Sequence, residues 1–490
     1  MKEFKKLAGQ TLVYGLGTIV PRVFNYLVFT WFFTRVFSKY EYGVFTELYG
    51  QVAFLLVFLT YGMETTYFRF LKDKFPRGTV YSTALRTLAF TSGLFLILLV
   101  LFYKDIAKWI QYPDRAILVL LLGSVVAIDA FISLPFAKLR AENRAMKFGV
   151  LKIINVIIII FFNLFFLAGL PYLNQHYSSQ FISYLYVPQW GVEYAFIANL
   201  IGSGSMLLLL VKEIMPIKIK ANRELRRQML KYTFPLLVVG SAGMINEVFD
   251  KILLKYLLDG THAASEQVGV YGANYRIAVL MTLFIQMFRY AAEPFYFNKM
   301  KDADAKETYA SVMKYFVIFG LLIFLGVTFY IDVVKYFIGP DFRSGLHIVP
   351  IVLIANLFLG IIYNLSVWYK LTNKTKFGAY IALFGAAITI ALNIILVPFM
   401  GYEGAAWATL ICYTSMMFLS YYLSRKHYAI PYNVKEIALY FLFALGLYFV
   451  TIVVNLPVQW MKYVFHTILF GVFIFVVEKR EHLIKLLIGK

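Results

Sequence analysis

Between residues 10 and 477 the chain repeats one pattern: a long apolar run, a short connection, and another apolar run. About 20 apolar residues cross the roughly 30 Å hydrocarbon core as a helix, which satisfies its own N–H and C=O groups where water is absent. The runs fall near 10–37, 44–68, 79–103, 115–137, 148–170 and 191–211, then near 231–257, 267–292, 309–331, 346–369, 377–399 and 402–424. Two more, near 434–455 and 459–477, complete the pattern. The expectation is an all-α, polytopic integral membrane protein of about 14 transmembrane helices. Composition agrees: 61% of residues are hydrophobic and 15% charged, against about 45–50% and 25% in soluble domains.

The net charge of +21 would fit a nucleic-acid binder if the bases were clustered on a soluble domain. Here they punctuate the apolar runs instead, and no nucleic-acid partner is expected. With the N-terminus inside, the inner connections carry 32 Lys and Arg and the outer ones about 7. Basic connections are retained in the cytoplasm, so both termini are expected there. The basic start (Lys2, Lys5, Lys6) leads into an apolar stretch too long for a signal-peptide core, which reads as a retained first helix. The longest outer connection, 171–190, contains no Asp, Glu, Lys or Arg and offers no soluble catalytic site. Tyr172, Tyr186, Trp190, Trp368 and Trp460 suit interfacial belts.

The chain also repeats itself. Glu41-Tyr42-Gly43-Val44-Phe45 returns 226 positions later as Gln267-Val268-Gly269-Val270-Tyr271, and Tyr49 meets Tyr275 at the same offset. GVEYAFIANLI (191–201) returns as GYEGAAWATLI (401–411), with six of eleven positions identical. Lys147-Phe148-Gly149 matches Lys376-Phe377-Gly378. Each match opens the corresponding helix on the same membrane side, so the copies are parallel, related by an axis along the membrane normal. Two pseudo-symmetric six-helix lobes are therefore expected: 1–211 and 231–424, joined by a basic cytoplasmic linker at 212–230. Residues 425–490 add two helices and a basic tail.

Charge at bilayer depth costs roughly 2.5–3.5 kcal/mol on insertion scales, so each such side chain needs a partner or a watered cavity. Arg22 in the first helix, beside Pro21, has no acid at its depth in the neighbouring helix. Arg276 and Arg289 mark two depths on the eighth, and Lys251 and Lys255 lie on the seventh. A watered cleft receiving an anion suits them, since the guanidinium fork can donate two bonds to one phosphate. Asp250, Asp129 and Glu64 are acids that either exchange a coupling ion or neutralise a neighbouring base. Asn25, Tyr49, Asn246, Asn274 and Tyr275 suit sugar contacts if they face a cleft, and helix packing otherwise. The single cysteine, Cys412, six scattered histidines and the absence of a GxxxxGK[ST] loop leave no expected metal, cofactor or ATP site.

Several segments together resemble the multidrug/oligosaccharidyl-lipid/polysaccharide (MOP) exporter superfamily, most closely its polysaccharide transporter branch, the Wzx-type flippases. They are LAGQTLVYGLGTIVPRV (7–23), EYGVF (41–45), YGMETTYFRF (61–70), LKYTFPLLVVGSAGMINEVFDKILLKYLL (230–258) and VGVYGANYRIA (268–278). KLTNKTKFGAYIALFGAAITIALNIILVPFMGYEGAAWATLICY (370–413) completes the set. The resemblance implies a two-lobed transporter, not an enzyme. It would move an undecaprenyl-diphosphate-linked oligosaccharide between leaflets of the bacterial cytoplasmic (inner) membrane by alternating access. It also implies a cavity lined by Arg22, Lys251, Lys255 and Arg276, contact with membrane lipids, and work beside a polysaccharide polymerase and chain-length machinery in surface polysaccharide assembly, such as that of O-antigen and lipopolysaccharide. Competing readings are a cation-coupled multidrug exporter or a lipid II flippase of the same superfamily, and a membrane-embedded polymerase or glycosyltransferase. The buried basic balance and the two final helices weigh against the multidrug exporter, and the short outer connections weigh against the enzymes.

The orientation is directly testable: a compartment-sensitive reporter fused after Lys490 is expected to report the cytoplasm, and an external signal would reverse the assignment.

Overall fold

The computed structural model describes residues 29–71, 74–177, 180–215, 221–300, 302–454 and 456–482. Among these there is no strand. The principal helices are α1 (Thr30–Val36), α2 (Lys39–Thr60), α3 (Met63–Phe70), α4 (Arg77–Trp109), α5 (Ile117–Ala141), α6 (Ala145–Leu164), α7 (Val192–Leu209) and α8 (Arg223–Leu257). They continue as α9 (His262–Ile277), α10 (Val279–Lys299), α11 (Ala305–Phe329), α12 (Val349–Leu365), α13 (Lys376–Met400), α14 (Tyr402–His427), α15 (Val434–Val453) and α16 (Gln459–Glu481).

Ten helical runs among the described residues are long and apolar enough to cross a membrane, or eleven when the bent pair α9–α10 is taken as one span. The helices α8 and α14, at 35 and 26 residues, have the length but carry more polar side chains. Of the first expected span, 10–37, residues 10–28 lie outside the described residues and 30–36 form α1. Fourteen spans are compatible with these numbers. Phe90, Leu101 and Phe399 are 70%, 67% and 88% exposed, a disposition that needs lipid rather than water against it.

Local chemistry sets the breaks. Ser38 caps α2 by accepting from the Glu41 amide at 3.2 Å, and Asn222 caps α8 by accepting from the Leu225 amide at 2.9 Å. Left-handed Tyr61 and Gly62, with φ of 36° and 70°, separate α2 from α3.

The chain divides into two compact units, one of Met1–Gly272 with Ala386–Ala405 and the other of Ala273–Gly385 with Ala406–Lys490. In the first, Tyr81, Leu85, Leu134 and Met229 centre one core cluster and Phe136, Phe148 and Met206 another. In the second, Tyr296, Tyr309, Val367 and Ile430 pack together. Trp368, expected at an interface, is instead fully buried there, stacked on His427 with ring centroids 5.6 Å apart. Trp460, by contrast, is exposed.

The sequence repeat has a geometric counterpart inside the first unit. α2 and α9 cross with Gly43 against Gly269, positions related by the 226-residue offset. A Cβ on either glycine would lie 3.1 Å from the amide nitrogen of the other. It would also collide with a backbone carbonyl, that of Ser265 for Gly43 and that of Lys39 for Gly269. Lys39 and Ser265 are related by the same offset, so the contact is self-complementary, as at a twofold axis. A second pair agrees. Glu41 Oε2 accepts from the Val192 amide at 3.1 Å and its counterpart Gln267 Oε1 accepts from the Tyr402 amide at 3.2 Å.

Adding a methyl at this crossing should therefore be costly. Gly43→Ala and Gly269→Ala are each expected to lose about 1–3 kcal/mol, read as a lower thermal midpoint of the purified protein. Gly93 in α4 has open space around its would-be Cβ. There Gly93→Ala should gain about 0.5–1 kcal/mol from backbone entropy.

Candidate functional site

Arg22 and Asn25 lie outside the described residues. Among the remaining charges read from the sequence, one group is held by neighbours within a unit, and Arg289 stands outside that group as an exposed side chain.

Lys255 belongs to the held group. It is 1% exposed, and its Nζ lies 3.2 Å from Glu47 Oε2, 2.8 Å from the Ile110 carbonyl and 3.4 Å from the ring centroid of Tyr112. Glu47, also 1% exposed, further accepts from Tyr112 Oη at 2.5 Å, Gln51 Nε2 at 2.8 Å and Tyr256 Oη at 3.2 Å. The ammonium expected to line a cavity thus closes a buried ion pair joining α2, α8 and the connection after α4. Its charge is spent within the fold in this conformation.

Lys251 is similar. Its Nζ lies 2.9 and 3.0 Å from the two oxygens of Asp250, which is buried and also accepts from Tyr271 Oη at 2.7 Å. Among the other acids, Asp129 accepts from Ser203 Oγ at 2.7 Å, and Glu64 lies 2.5 Å from Arg140 Nη2. The proposed sugar contacts also have neighbours. Tyr49 Oη donates to Asn199 Oδ1 at 2.8 Å, and Asn246 Oδ1 accepts from Thr389 Oγ1 at 3.2 Å. Asn274 is fully buried and donates to the Phe342 carbonyl at 2.8 Å, which withdraws it from any sugar in this conformation. Tyr275 is half-buried.

Arg276 is half-buried and Arg289 exposed, both in the second unit. The guanidinium of Arg289 lies 4.8 Å from the ring centroid of Tyr363, and among the described residues it has no ion-pair partner. It borders a shallow cleft together with Glu293, Tyr296, Tyr363, Asn364 and Lys370. Lys370 Nζ lies 2.7 Å from Glu293 Oε1. Arg289 is thus exposed at the edge of this cleft, beside the Lys370–Glu293 pair.

Sequence reasoning left Glu47 unassigned and missed Arg115. Arg115 bonds Glu193 at 2.7 and 2.5 Å and Glu41 at 2.6 and 3.2 Å, clasping the starts of α2 and α7. Burial works against its charge, but hydrogen bonds to and attraction from the two carboxylates outweigh this and raise its pKa. A signal was present: Pro113-Asp114-Arg115 returns as Pro340-Asp341-Phe342-Arg343, and a 3₁₀ turn begins at each proline. Arg343 instead sits over Tyr336 at 4.8 Å and donates to the Lys335 carbonyl at 3.3 Å.

A family described as polysaccharide biosynthesis protein matches residues 7–300. No curated protein matches by sequence. Among solved structures, the fold is similar to the lipid II flippase MurJ in an inward closed conformation, at 16% identity and a TM-score of 0.67, covering 93% of this chain and 99% of that one. It is also similar to a multidrug resistance MATE family transporter of the MOP superfamily in an inward-facing conformation, at 12% identity and a TM-score of 0.65, covering 85% and 97%. A Vibrio cholerae MATE transporter aligns at 14% identity and a TM-score of 0.59, covering 86% and 96%.

Removing one partner of the buried pair tests its role. Lys255→Ala should cost about 3–5 kcal/mol by leaving the Glu47 carboxylate uncompensated. The double variant Glu47→Gln, Lys255→Met should recover most of the folded yield and thermal midpoint. Parental stability in Lys255→Ala would instead free this ammonium for substrate.

Proposed function

Because this chain belongs to the polysaccharide biosynthesis protein family, within the polysaccharide transporter branch of the MOP exporter superfamily, we propose that it is a flippase for an undecaprenyl-diphosphate-linked oligosaccharide. It carries this substrate from the inner to the outer leaflet of the bacterial cytoplasmic membrane by alternating access, for surface polysaccharide assembly. Both termini are cytoplasmic in this reading. The observation that supports it most directly is the exposed guanidinium of Arg289 in the bent pair α9–α10, which together is long and apolar enough to cross a membrane, with Arg276 on the same pair.

The physical need is clear. A diphosphate is an anion, and moving it through about 30 Å of hydrocarbon unaided carries a prohibitive desolvation cost. Guanidinium groups in a wet passage offset that cost and can bond phosphate in pairs. The polyprenyl tail can stay in lipid while the head moves. Arg22, Arg276 and Arg289 are the phosphate contacts in this proposal, with Lys251 and Lys255 contributing only in a conformation that releases them from Asp250 and Glu47. Asp250, Asp129 and Glu64 are the acids that would exchange a coupling proton or sodium.

The similarity to the lipid II flippase supports a second reading, in which the sugar portion is that of a peptidoglycan precursor. The two readings separate by headgroup. In vesicles containing the reconstituted protein, a defined lipid-linked oligosaccharide should change leaflet with its chemistry unaltered, and faster than lipid II. Arg276→Ala is expected to slow transfer by about tenfold or more while the protein still inserts. Parental transfer by the Arg22→Ala, Arg276→Ala double variant would overturn the phosphate role of these two residues, and transfer of lipid II alone would favour the second reading.

A further inference from the structure

The cleft beside Arg289 carries a surplus positive charge with a built-in competitor. Arg289 and Glu293 are four residues apart on α10 and therefore share one face. Across from them stand Tyr363, from α12, and Lys370, from the short helix Val367–Leu371. Two cations thus face one carboxylate. Glu293 is committed to Lys370 at 2.7 Å, with side chains 42% and 28% exposed. Arg289 lies on Tyr363 with its donors free of any carboxylate among the described residues. The floor is already satisfied, because Tyr296 Oη donates to Asn364 Oδ1 at 2.6 Å and Tyr309 Oη donates to the Tyr296 carbonyl at 2.8 Å. A rigid aromatic floor beneath an unpaired guanidinium fits a compact anion better than another side chain.

Depth narrows the choice of anion. The same ends of these helices carry Lys299, Lys370, Lys374 and Lys376, which the charge rule for membrane proteins assigns to the cytoplasm. Arg289 lies ten residues before Lys299, about 15 Å further into the membrane at about 1.5 Å per residue. Lys370 therefore marks the mouth and Arg289 the interior of one short route starting at the inner-leaflet headgroups.

We propose that this cleft is the loading station for the diphosphate of a lipid-linked substrate, and that Glu293 occupies the substrate's place on Lys370 until a phosphate displaces it. The proposal rests on the flippase reading above and adds to it a place of entry and an internal competitor. One phosphate takes the Lys370 ammonium and the next takes the Arg289 fork. Glu293 then turns to water, so an empty station keeps only one cation uncovered. The carboxylate sets the affinity: it excludes weakly bound singly charged headgroups and yields to a diphosphate.

This gives variants of opposite sign. The full chain in nanodiscs of zwitterionic lipid is titrated with radiolabelled undecaprenyl diphosphate, with inorganic pyrophosphate and phosphatidylglycerol as competitors. Arg289→Gln is expected to weaken binding by about tenfold, and Lys370→Gln by a smaller factor. Glu293→Gln is expected to tighten it severalfold, an effect that a purely structural ion pair would not produce. Arg289→Lys keeps the charge without the fork and should fall between the parent and Arg289→Gln, and thermal midpoints confirm that each variant is folded. Competition by pyrophosphate but not by phosphatidylglycerol supports recognition of the diphosphate. Equal competition by phosphatidylglycerol, or weakened or unchanged binding in Glu293→Gln, overturns the station. Parental binding and transfer in all the variants would remove the station and leave the flippase reading standing, whereas no binding by the parent and no transfer in vesicles would remove that reading itself.

Discussion

A charge held within hydrocarbon must be compensated where it stands, and this requirement organises the molecule. In the first unit Glu47 and Lys255 meet it together, with two tyrosines, a glutamine and a backbone carbonyl using the remaining donors and acceptors. Such a pair adds little net stability over an apolar substitute, but it strongly penalises the loss of one member. It therefore fixes which segments must meet. Asp250 solves the same problem with its own neighbour Lys251 and with Tyr271.

Arg289 differs from these pairs. Its charge is softened by an aromatic face rather than cancelled by a carboxylate. In the first unit Glu47, Lys255 and Asp250 hold helices together, while in the second unit Arg289 lies exposed beside a cleft. In the flippase proposed above, the first kind of charge would close the fold and Arg289 would be left to meet the headgroup.

The membrane-spanning character was legible because about 20 consecutive apolar residues have few other outcomes. The repeat was legible too, since Glu41 to Phe45 and Gln267 to Tyr271 keep their small and aromatic positions. Its meaning was not. That Gly43 and Gly269 touch one another depends on how two helices cross, and nothing in either segment states its partner. The same limit applies to Lys255, whose partner Glu47 lies on a distant helix. Depth along a helix placed both in the membrane but could not show which way either faced. The residue type of Asn274 suits either a sugar contact or helix packing, and the carbonyl of Phe342 accepts from it in this conformation.

The crossing of α2 and α9 uses one glycine sequence twice, each copy supplying the gap that the other fills. A chain of half this length, carrying a single copy, would have possessed both sides of that joint. Two such chains would meet at this joint through identical surfaces. Within one chain the two copies need not match, and they differ: glutamine stands at 267 where glutamate stands at 41, and Arg343 turns to Tyr336.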